Sequence, residues 1–254
     1  MLLHSNIIGE GPPFVILHGF LGMGDNWKTL AKQFSGLRFQ VHLVDQRNHG
    51  RSFHDSIFNY DVLAADLKAY YDHHALENTV LLGHSMGGKT AMLFAALYPE
   101  CVSKLIVADI APRFYPVHHD AILDGLSSLN FEELTSRKEA EIQLSKYVQD
   151  IGTRQFLLKN IYRVSPTVLG LRINLEALKT QVFEVGEALS PILSYPKDCL
   201  FLRGDQSEYI SIQDEGAIKV QFPNATIQTV TNAGHWLHAE NPVEFFERVC
   251  AFIA

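Results

Sequence analysis

A serine flanked by glycines follows a short apolar run near position 85 of this 254-residue chain. Residues 79–82 have the composition of a buried strand and residues 89–97 that of a helix, which predicts Ser85 on the tight turn between them. Gly83 and Gly87 relieve the crowding of such a turn because they have no Cβ atom. The arrangement is typical of a nucleophile elbow, in which a serine hydroxyl projects from the edge of a sheet.

A serine hydroxyl is a poor nucleophile by itself, so this chemistry requires a base elsewhere in the chain. His235 lies in a loop after the predicted strand 226–230 and before a helix that begins near Pro242. We prefer it to His238, because the small residues that precede His235 allow this loop to approach the elbow. The sequence therefore predicts His235 as the general base.

Acyl transfer also requires backbone N–H groups that stabilise a developing oxyanion. Met86 directly follows the serine, so its N–H is one candidate donor. Phe20 is the other, because it lies in the loop 18–22 after the predicted strand 14–17. The glycines of that loop permit the unusual turn that exposes an amide. The elbow, the late histidine and this loop together predict a serine hydrolase site.

A polar cluster follows the predicted strand that ends at Val44. It consists of Asp45, Arg47, Asn48 and His49, and it could be mistaken for a catalytic group. Buried polar groups of this kind usually bond to one another. We therefore expect the cluster to brace the floor of the site.

Four longer segments carry a resemblance to a known family. They are Val44-Asp45-Gln46-Arg47-Asn48-His49-Gly50-Arg51-Ser52, Gly83-His84-Ser85-Met86-Gly87-Gly88-Lys89, Asp109-Ile110-Ala111-Pro112 and Ala233-Gly234-His235-Trp236-Leu237-His238-Ala239-Glu240. The chain resembles the α/β-hydrolase fold superfamily over nearly its whole length and, within it, the YbfF-type carboxylesterases. The resemblance implies a mostly parallel sheet flanked by helices. It also implies hydrolysis of carboxylic esters through an acyl-enzyme, with acyl thioesters as a further substrate class.

The acid that orients the histidine has more than one candidate. In most α/β-hydrolases it lies three residues after a glycine that ends the next-to-last strand, and here that offset falls on Ser207. A neutral hydroxyl cannot stabilise the imidazolium that forms during attack. Asp205 and Glu208 are acids in the same loop, whereas Asp109 ends the strand after the elbow helix. The Asp-Ile-Ala-Pro motif of the YbfF-like group favours Asp109, with Asp205 and then Glu208 as alternatives.

The alternation of strand and helix patterns stops between residues 113 and 189, where helical patterns dominate. Helices are predicted there at 120–129, 131–149, 154–162 and 175–189. We expect residues 1–112 and 190–254 to form the α/β core, and residues 113–189 to form a helical cap over Ser85. The candidate pocket residues are Phe114, Tyr115, Phe156, Leu157, Tyr162, Phe183 and Trp236.

Composition agrees with a single enzyme domain: 47% of the residues are hydrophobic, enough for a full α/β core. A formal charge of −7 argues against nucleic acid or an anionic membrane as a partner. The three widely spaced cysteines favour a reducing compartment, and we expect a cytoplasmic monomer or homodimer that acts on a small-molecule ester. Neither a leader nor a membrane span is evident, and no metal or other cofactor is expected.

Other functions use the same constellation of residues. A carbon–carbon bond hydrolase of the meta-cleavage type and a perhydrolase both remain alternatives. A non-catalytic protein that binds a ligand in a hydrolase-like cleft is a third, although the elbow, the histidine and the candidate acids weigh against it. Dehalogenases and epoxide hydrolases of this fold carry an aspartate where Ser85 stands, which disfavours them.

Overall fold

The computed structural model describes residues 1–254, and its centre is a large β-sheet. The chain forms nine strands: β1 (Ser5–Ile8), β2 (Pro13–Leu17), β3 (Gln40–Val44), β4 (Thr79–His84), β5 (Val102–Ala108), β6 (Ile161–Arg163), β7 (Leu169–Leu171), β8 (Cys199–Gly204) and β9 (Ala225–Val230). Seven of them form one sheet in the order β1-β3-β2-β4-β5-β8-β9. Every neighbouring pair is parallel except β1 and β3, so the carboxyl ends of β2, β4, β5 and β8 lie at one edge.

Ten helices accompany the strands: α1 (Lys28–Gly36), α2 (Tyr60–His74), α3 (Met86–Leu97), α4 (Asp120–Ser127), α5 (Arg137–Leu144), α6 (Ile151–Leu158), α7 (Leu175–Thr180), α8 (Asp214–Gln221), α9 (Leu237–Glu240) and α10 (Pro242–Ile253). The mostly parallel sheet flanked by helices is the architecture that the sequence predicts, and it is confirmed. The antiparallel edge strand β1 was not predicted, because its four residues are too few to show a strand period.

The sheet is buried on both faces. Along β2, Phe14 and Ile16 belong to an apolar cluster that includes residues of α1 and α10. Val15 and Leu17 point the other way, into a larger cluster formed with α2 and α3. This alternation follows from the two-residue period of a strand, and burial of both faces is usual for parallel sheets.

Residues 113–189 form helices α4–α7 and the antiparallel hairpin of β6 and β7. The hairpin was not predicted within this mainly helical segment: Tyr162, predicted at a helix end, lies in β6. A strand of three residues is too short for periodicity to separate it from a helix. Apolar residues of this segment, among them Leu126, Leu144 and Leu157, belong to the larger core cluster. The segment and the sheet therefore share one apolar core.

Two further features of the structure concern membrane spans and cysteines. No helix is both long enough and apolar enough to cross a membrane. The thiols of Cys101, Cys199 and Cys250 are all free.

The loop after β3 is tied to α2 by a bidentate ion pair. Arg47 Nε lies 2.5 Å from Asp66 Oδ2 and Nη2 lies 2.8 Å from Oδ1, while Nη1 donates to the Ile57 carbonyl at 2.7 Å. The Arg47 and Asp66 side chains are 9% and 13% exposed, so loss of one leaves the other poorly solvated.

We expect Arg47→Met to lower the free energy of unfolding by about 3 kcal/mol, because Asp66 loses its partner in a poorly solvated position. Urea denaturation followed by circular dichroism measures the change. Lys179→Met is the matched control, because the Lys179–Asp124 pair is exposed on both sides and its loss should cost less than about 1 kcal/mol. Equal losses for the two variants would contradict this account of the Arg47 pair.

Candidate active site

Ser85 stands on a sharp turn between β4 and α3. Its backbone has φ 53° and ψ −119°, a conformation that L-residues rarely adopt, and its N–H donates to the Ala108 carbonyl at 3.0 Å. A Cβ on Gly83 would lie 2.1 Å from the Gly87 carbonyl oxygen, and one on Gly87 would lie 2.5 Å from the His18 carbonyl oxygen. Only glycine therefore allows the strand and the helix to approach this closely. The geometry is that of a nucleophile elbow.

Asp109, the residue after β5, is fully buried and also has a positive φ, of 53°. Its Oδ2 lies 2.8 Å from His235 Nδ1, and Ser207 Oγ donates a hydrogen bond to the same oxygen. Its Oδ1 accepts the Gly204 N–H at 3.2 Å. The structure thus brings Asp109 and His235 together, and each Asp109 oxygen accepts from at least one further donor.

The two alternative acids lie elsewhere. Asp205 is exposed, and its carboxylate oxygens accept the N–H groups of Asn232 and Ala233 at 3.0 Å each. It therefore braces the loop that carries His235 without touching the imidazole. The Glu208 side chain is exposed and forms no hydrogen bond. Ser207 occupies the offset at which most α/β-hydrolases place the acid, and its hydroxyl instead bonds to Asp109.

His235 is held on two further sides. The ring of Tyr209 stacks on it with centroids 3.8 Å apart and planes 17° from parallel. The backbone carbonyl of His235 accepts a hydrogen bond from His84 Nε2 at 2.8 Å. Burial is the main reason that the pKa of His84 lies well below its usual value, and the nearby His238 and His235 lower it further. His84 is therefore a neutral donor that positions the histidine loop.

The loop after β2 is supported by neutral imidazoles. His18 Nε2 accepts the Gln46 N–H at 3.0 Å, and burial lowers the pKa of His18 to about 4. His49 Nε2 accepts the Leu21 N–H at 3.1 Å, and burial lowers the pKa of His49 to about 3. The N–H of Phe20 donates to no other protein group. Met86 is the first residue of α3, so its N–H has no partner within the helix.

The polar cluster after β3 makes structural contacts. Asp45 Oδ1 accepts the Gly24 N–H at 2.7 Å, and Oδ2 accepts the Arg51 N–H at 2.9 Å. Asn48 Oδ1 accepts the Asp55 N–H at 2.8 Å. These bonds fix the loops next to the site. No side chain of the cluster lines the main cavity.

Lys89 on α3 is fully buried, which is uncommon for a lysine. Its Nζ donates to the backbone carbonyls of Gly186, at 3.1 Å, and Glu187. The Tyr115 ring centroid lies 5.0 Å from the same nitrogen. Burial lowers the pKa of Lys89 to about 7. The lysine thus fastens the end of the 113–189 segment to the elbow helix.

A cavity of about 430 Å³ opens beside Ser85 and His235. Three of the predicted pocket residues line it, namely Phe156, Leu157 and Trp236. The Phe156 and Trp236 rings face each other with centroids 5.4 Å apart, which joins α6 to the histidine loop. Tyr115 lines only a smaller cavity that also reaches Ser85.

Three predicted pocket residues do not line either cavity. Phe114 and Phe183 are 52% and 53% exposed on the surface. Tyr162 packs under the Arg172 guanidinium, whose carbon lies 4.5 Å from the ring centroid. The sequence missed other wall residues, among them Leu21, Trp27, Ile122 and His119. The spacing of Trp27 predicted only a position in the apolar core, and nothing in the local sequence distinguished His119 from its neighbour His118.

Comparisons with known proteins agree with the fold. A model of the α/β hydrolase fold family matches residues 12–242. The sn-1-specific diacylglycerol lipase ABHD11 of Mus musculus is 38% identical over 96% of this chain and 81% of its own length. Esterase YbfF of Escherichia coli is 34% identical over 91% of this chain and 88% of its own. The solved structure of a marine microorganism esterase matches with a TM-score of 0.96 at 41% identity, over 99% of both chains.

The chain belongs to the α/β hydrolase fold family, as its motifs predicted. Within that family it resembles the YbfF-type esterases, and it falls among the carboxylic ester hydrolases.

Neutral buried histidines should make this fold sensitive to acid. Burial lowers the pKa of His119 to about 4 and that of His238 to about 3, as it does for His18 and His49. A histidine in the unfolded chain titrates near 6.5, so between about pH 6.5 and pH 4 the unfolded state binds more protons than the folded state. The free energy of unfolding should therefore fall as the pH is lowered, by about 1.4 kcal/mol per pH unit for each such histidine.

We expect His18→Gln to reduce the slope of the free energy of unfolding against pH by the contribution of one histidine. His73→Gln, at an exposed position, should leave this slope unchanged. Urea denaturation at a series of pH values between 7 and 5 measures the slope. A free energy of unfolding that is constant over this range would contradict this account, because it would mean that the folded and unfolded states take up equal numbers of protons.

Proposed function

We propose that this protein is a serine carboxylesterase that works through an acyl-enzyme, with Ser85 as nucleophile, His235 as general base and Asp109 as the acid that orients it. The observation that carries the proposal is the 2.8 Å contact between Asp109 Oδ2 and His235 Nδ1, made beside a serine on a strained elbow in the same cavity. This contact places the proton of the neutral imidazole on Nδ1, which leaves Nε2 free to accept one.

The first half-reaction forms the acyl-enzyme. His235 Nε2 takes the proton of Ser85 Oγ as that oxygen attacks the ester carbonyl carbon. The oxyanion that forms accepts hydrogen bonds from the N–H groups of Phe20 and Met86. His235 then gives the proton to the departing alkoxide, so that the C–O bond breaks and the alcohol leaves. Asp109 remains ionised and stabilises the imidazolium in between.

The second half-reaction releases the acid. A water molecule gives a proton to His235 Nε2 and attacks the acyl carbonyl carbon. The second tetrahedral intermediate uses the same two N–H donors. His235 then protonates Ser85 Oγ as its bond to the acyl carbon breaks, which restores the free enzyme.

The cavity favours uncharged esters of small to medium size. About 430 Å³ lies near the lower end of the range for small-molecule sites, and aromatic and aliphatic side chains supply much of its wall. Asp150 and Glu240 are also among the lining residues, with Lys159 as the one lysine or arginine. Two carboxylates disfavour an anionic carrier such as coenzyme A, so uncharged esters are better candidates than its thioesters.

Residues 113–189 act in this proposal as the cap, over a core made of residues 1–112 and 190–254. Phe156 and Leu157 of α6 and Ile122 of α4 line the cavity from the cap, and Phe20 and Trp236 line it from the core. The cap therefore supplies part of the surface that contacts the acyl group.

Triad variants test the mechanism. Ser85→Ala and Asp109→Asn should each lower kcat for p-nitrophenyl esters by about 10⁴-fold, because triad members act as a unit. Asp205→Asn is the matched control and should retain activity within about tenfold, since Asp205 only braces a loop. The wild type is incubated with an ester that it hydrolyses slowly, and the reaction is stopped with acid. Mass spectrometry should then detect the acyl group on Ser85.

Full activity of Ser85→Ala would reject the acyl-enzyme. Loss of activity in Asp205→Asn but not in Asp109→Asn would identify Asp205 as the acid of the triad. A folded wild type that hydrolyses no ester in a panel of increasing acyl length would reject the esterase. Trials with a meta-cleavage diketone, and with hydrogen peroxide as the acyl acceptor, would then separate the alternative activities from a binding protein.

Acyl-length preference tests the cavity. Phe156→Ala should raise the ratio of kcat/KM for a longer p-nitrophenyl ester to that for the acetate by about tenfold, because removing the ring enlarges the space beside Trp236. Phe183→Ala removes an exposed aromatic ring of the same segment and should leave the ratio unchanged. A similar change in both variants would indicate a general effect on the cap.

A further inference from the structure

Leu21, which follows the candidate oxyanion donor Phe20, is held in an unfavourable backbone conformation. Its φ is 59°, in the left-handed region that costs a residue with a Cβ about 1 kcal/mol or more. Such a conformation persists only where the surroundings over-determine it. Here two side chains hold both polar groups of Leu21: its N–H donates to His49 Nε2 at 3.1 Å, and its carbonyl accepts from Asn160 Nδ2 at 2.8 Å.

The two supports come from different parts of the chain. His49 belongs to the core loop after β3, whereas Asn160 lies between α6 and β6. Asn160 is fully buried, its N–H donates to the Leu157 carbonyl at 3.0 Å, and its carbonyl accepts the Arg172 N–H at 2.9 Å. The helix and the hairpin therefore fix the backbone of Asn160, and its side chain reaches 139 residues back along the sequence to the oxyanion loop.

The bond to Leu21 is the one hydrogen bond that the Asn160 amide makes, because its Oδ1 is buried without a partner. A carbonyl only accepts hydrogen bonds, so the side chain at this position must present an N–H or O–H. The chemistry of this contact is therefore specific to a donor.

We propose that Asn160 is a positioning residue for the oxyanion hole, which it completes from the cap by holding Leu21 in the conformation that directs the Phe20 N–H toward the reacting carbonyl. This inference rests on the proposed function, since it assigns the support of one of its two oxyanion donors. If Asn160 has this role, the transition state is fully stabilised only when residues 113–189 are packed against the core. The segment then affects the chemical step as well as the size of the cavity.

Three variants test the assignment. Asn160→Ala removes the donor, Asn160→Leu replaces it with an apolar side chain of similar length that has no donor, and Asn174→Ala is the matched control. Asn174 is also an asparagine of the 113–189 segment that bonds to the core, but its Nδ2 donates to Asn48 Oδ1 at 3.1 Å, away from the oxyanion loop. The measurements are kcat and KM for a p-nitrophenyl ester, the affinity of an alkyl boronic acid, and hydrogen exchange of residues 18–24.

A mispositioned oxyanion donor should cost less than complete loss of one, which is typically about 10²–10³ in kcat. We expect kcat to fall about tenfold to a hundredfold in both Asn160 variants, with KM within about threefold of the wild type. The affinity of the boronic acid, which forms a tetrahedral adduct, should fall by the same factor, and residues 18–24 should exchange faster. Asn174→Ala should change none of these beyond about threefold.

A rise in KM at constant kcat, or equal effects of the Asn160 variants and Asn174→Ala, would overturn the assignment. Asn160→Leu, which leaves no cavity, keeps the test valid if Asn160→Ala does not fold. If the wild type hydrolyses no ester, the proposed function fails, and hydrogen exchange still decides the role of Asn160. Exchange of residues 18–24 that is unchanged in the Asn160 variants would then reject the role.

Discussion

The hydrogen bond between the buried Asp109 carboxylate and His235 is the contact on which the rest of the site depends. A buried carboxylate is costly unless donors surround it, and here His235, Ser207 and the Gly204 N–H supply them. These donors come from the histidine loop and from the end of β8 and the turn after it. The contact can form only because parallel strands bring the ends of β5, β8 and β9 to the same edge of the sheet.

Around this contact, buried polar groups are arranged as neutral donors and acceptors. His18, His49 and His84 each satisfy backbone groups of the loops beside the site, and burial lowers the pKa of all three. An imidazole that carries no charge can be buried at modest cost and can still both donate and accept. The loops are thereby fixed without a competing positive charge beside His235, which suits the general-base role that we propose for it.

The 113–189 segment is bound to the core by polar contacts as well as by its shared apolar core. Lys89 holds its end against the elbow helix, Tyr115 donates to the Tyr209 carbonyl at 2.5 Å, and Asn160 reaches the oxyanion loop. Tyr209 in turn stacks on His235. Lys89 lies on the helix that follows Ser85, Tyr209 touches His235 through its ring, and Leu21 is next to Phe20 in the chain. Movement of this segment would therefore change the geometry of the site as well as access to it.

The sequence by itself determined the parallel strands of the core, the elbow at Ser85, the loop of His235 and the candidate donors Phe20 and Met86. Each of these depends on local composition and on the short periods of strands and helices. It favoured Asp109 through a motif, but Asp205 and Glu208 remained open until the tertiary structure placed only Asp109 against His235. The structure alone decided which aromatic residues line the cavity, so that Phe156 does and Phe183 does not. It alone revealed the hairpin of β6 and β7 and the contact between Asn160 and Leu21. These features depend on how a distant segment packs against the core, and no local pattern records a contact between residues 139 positions apart.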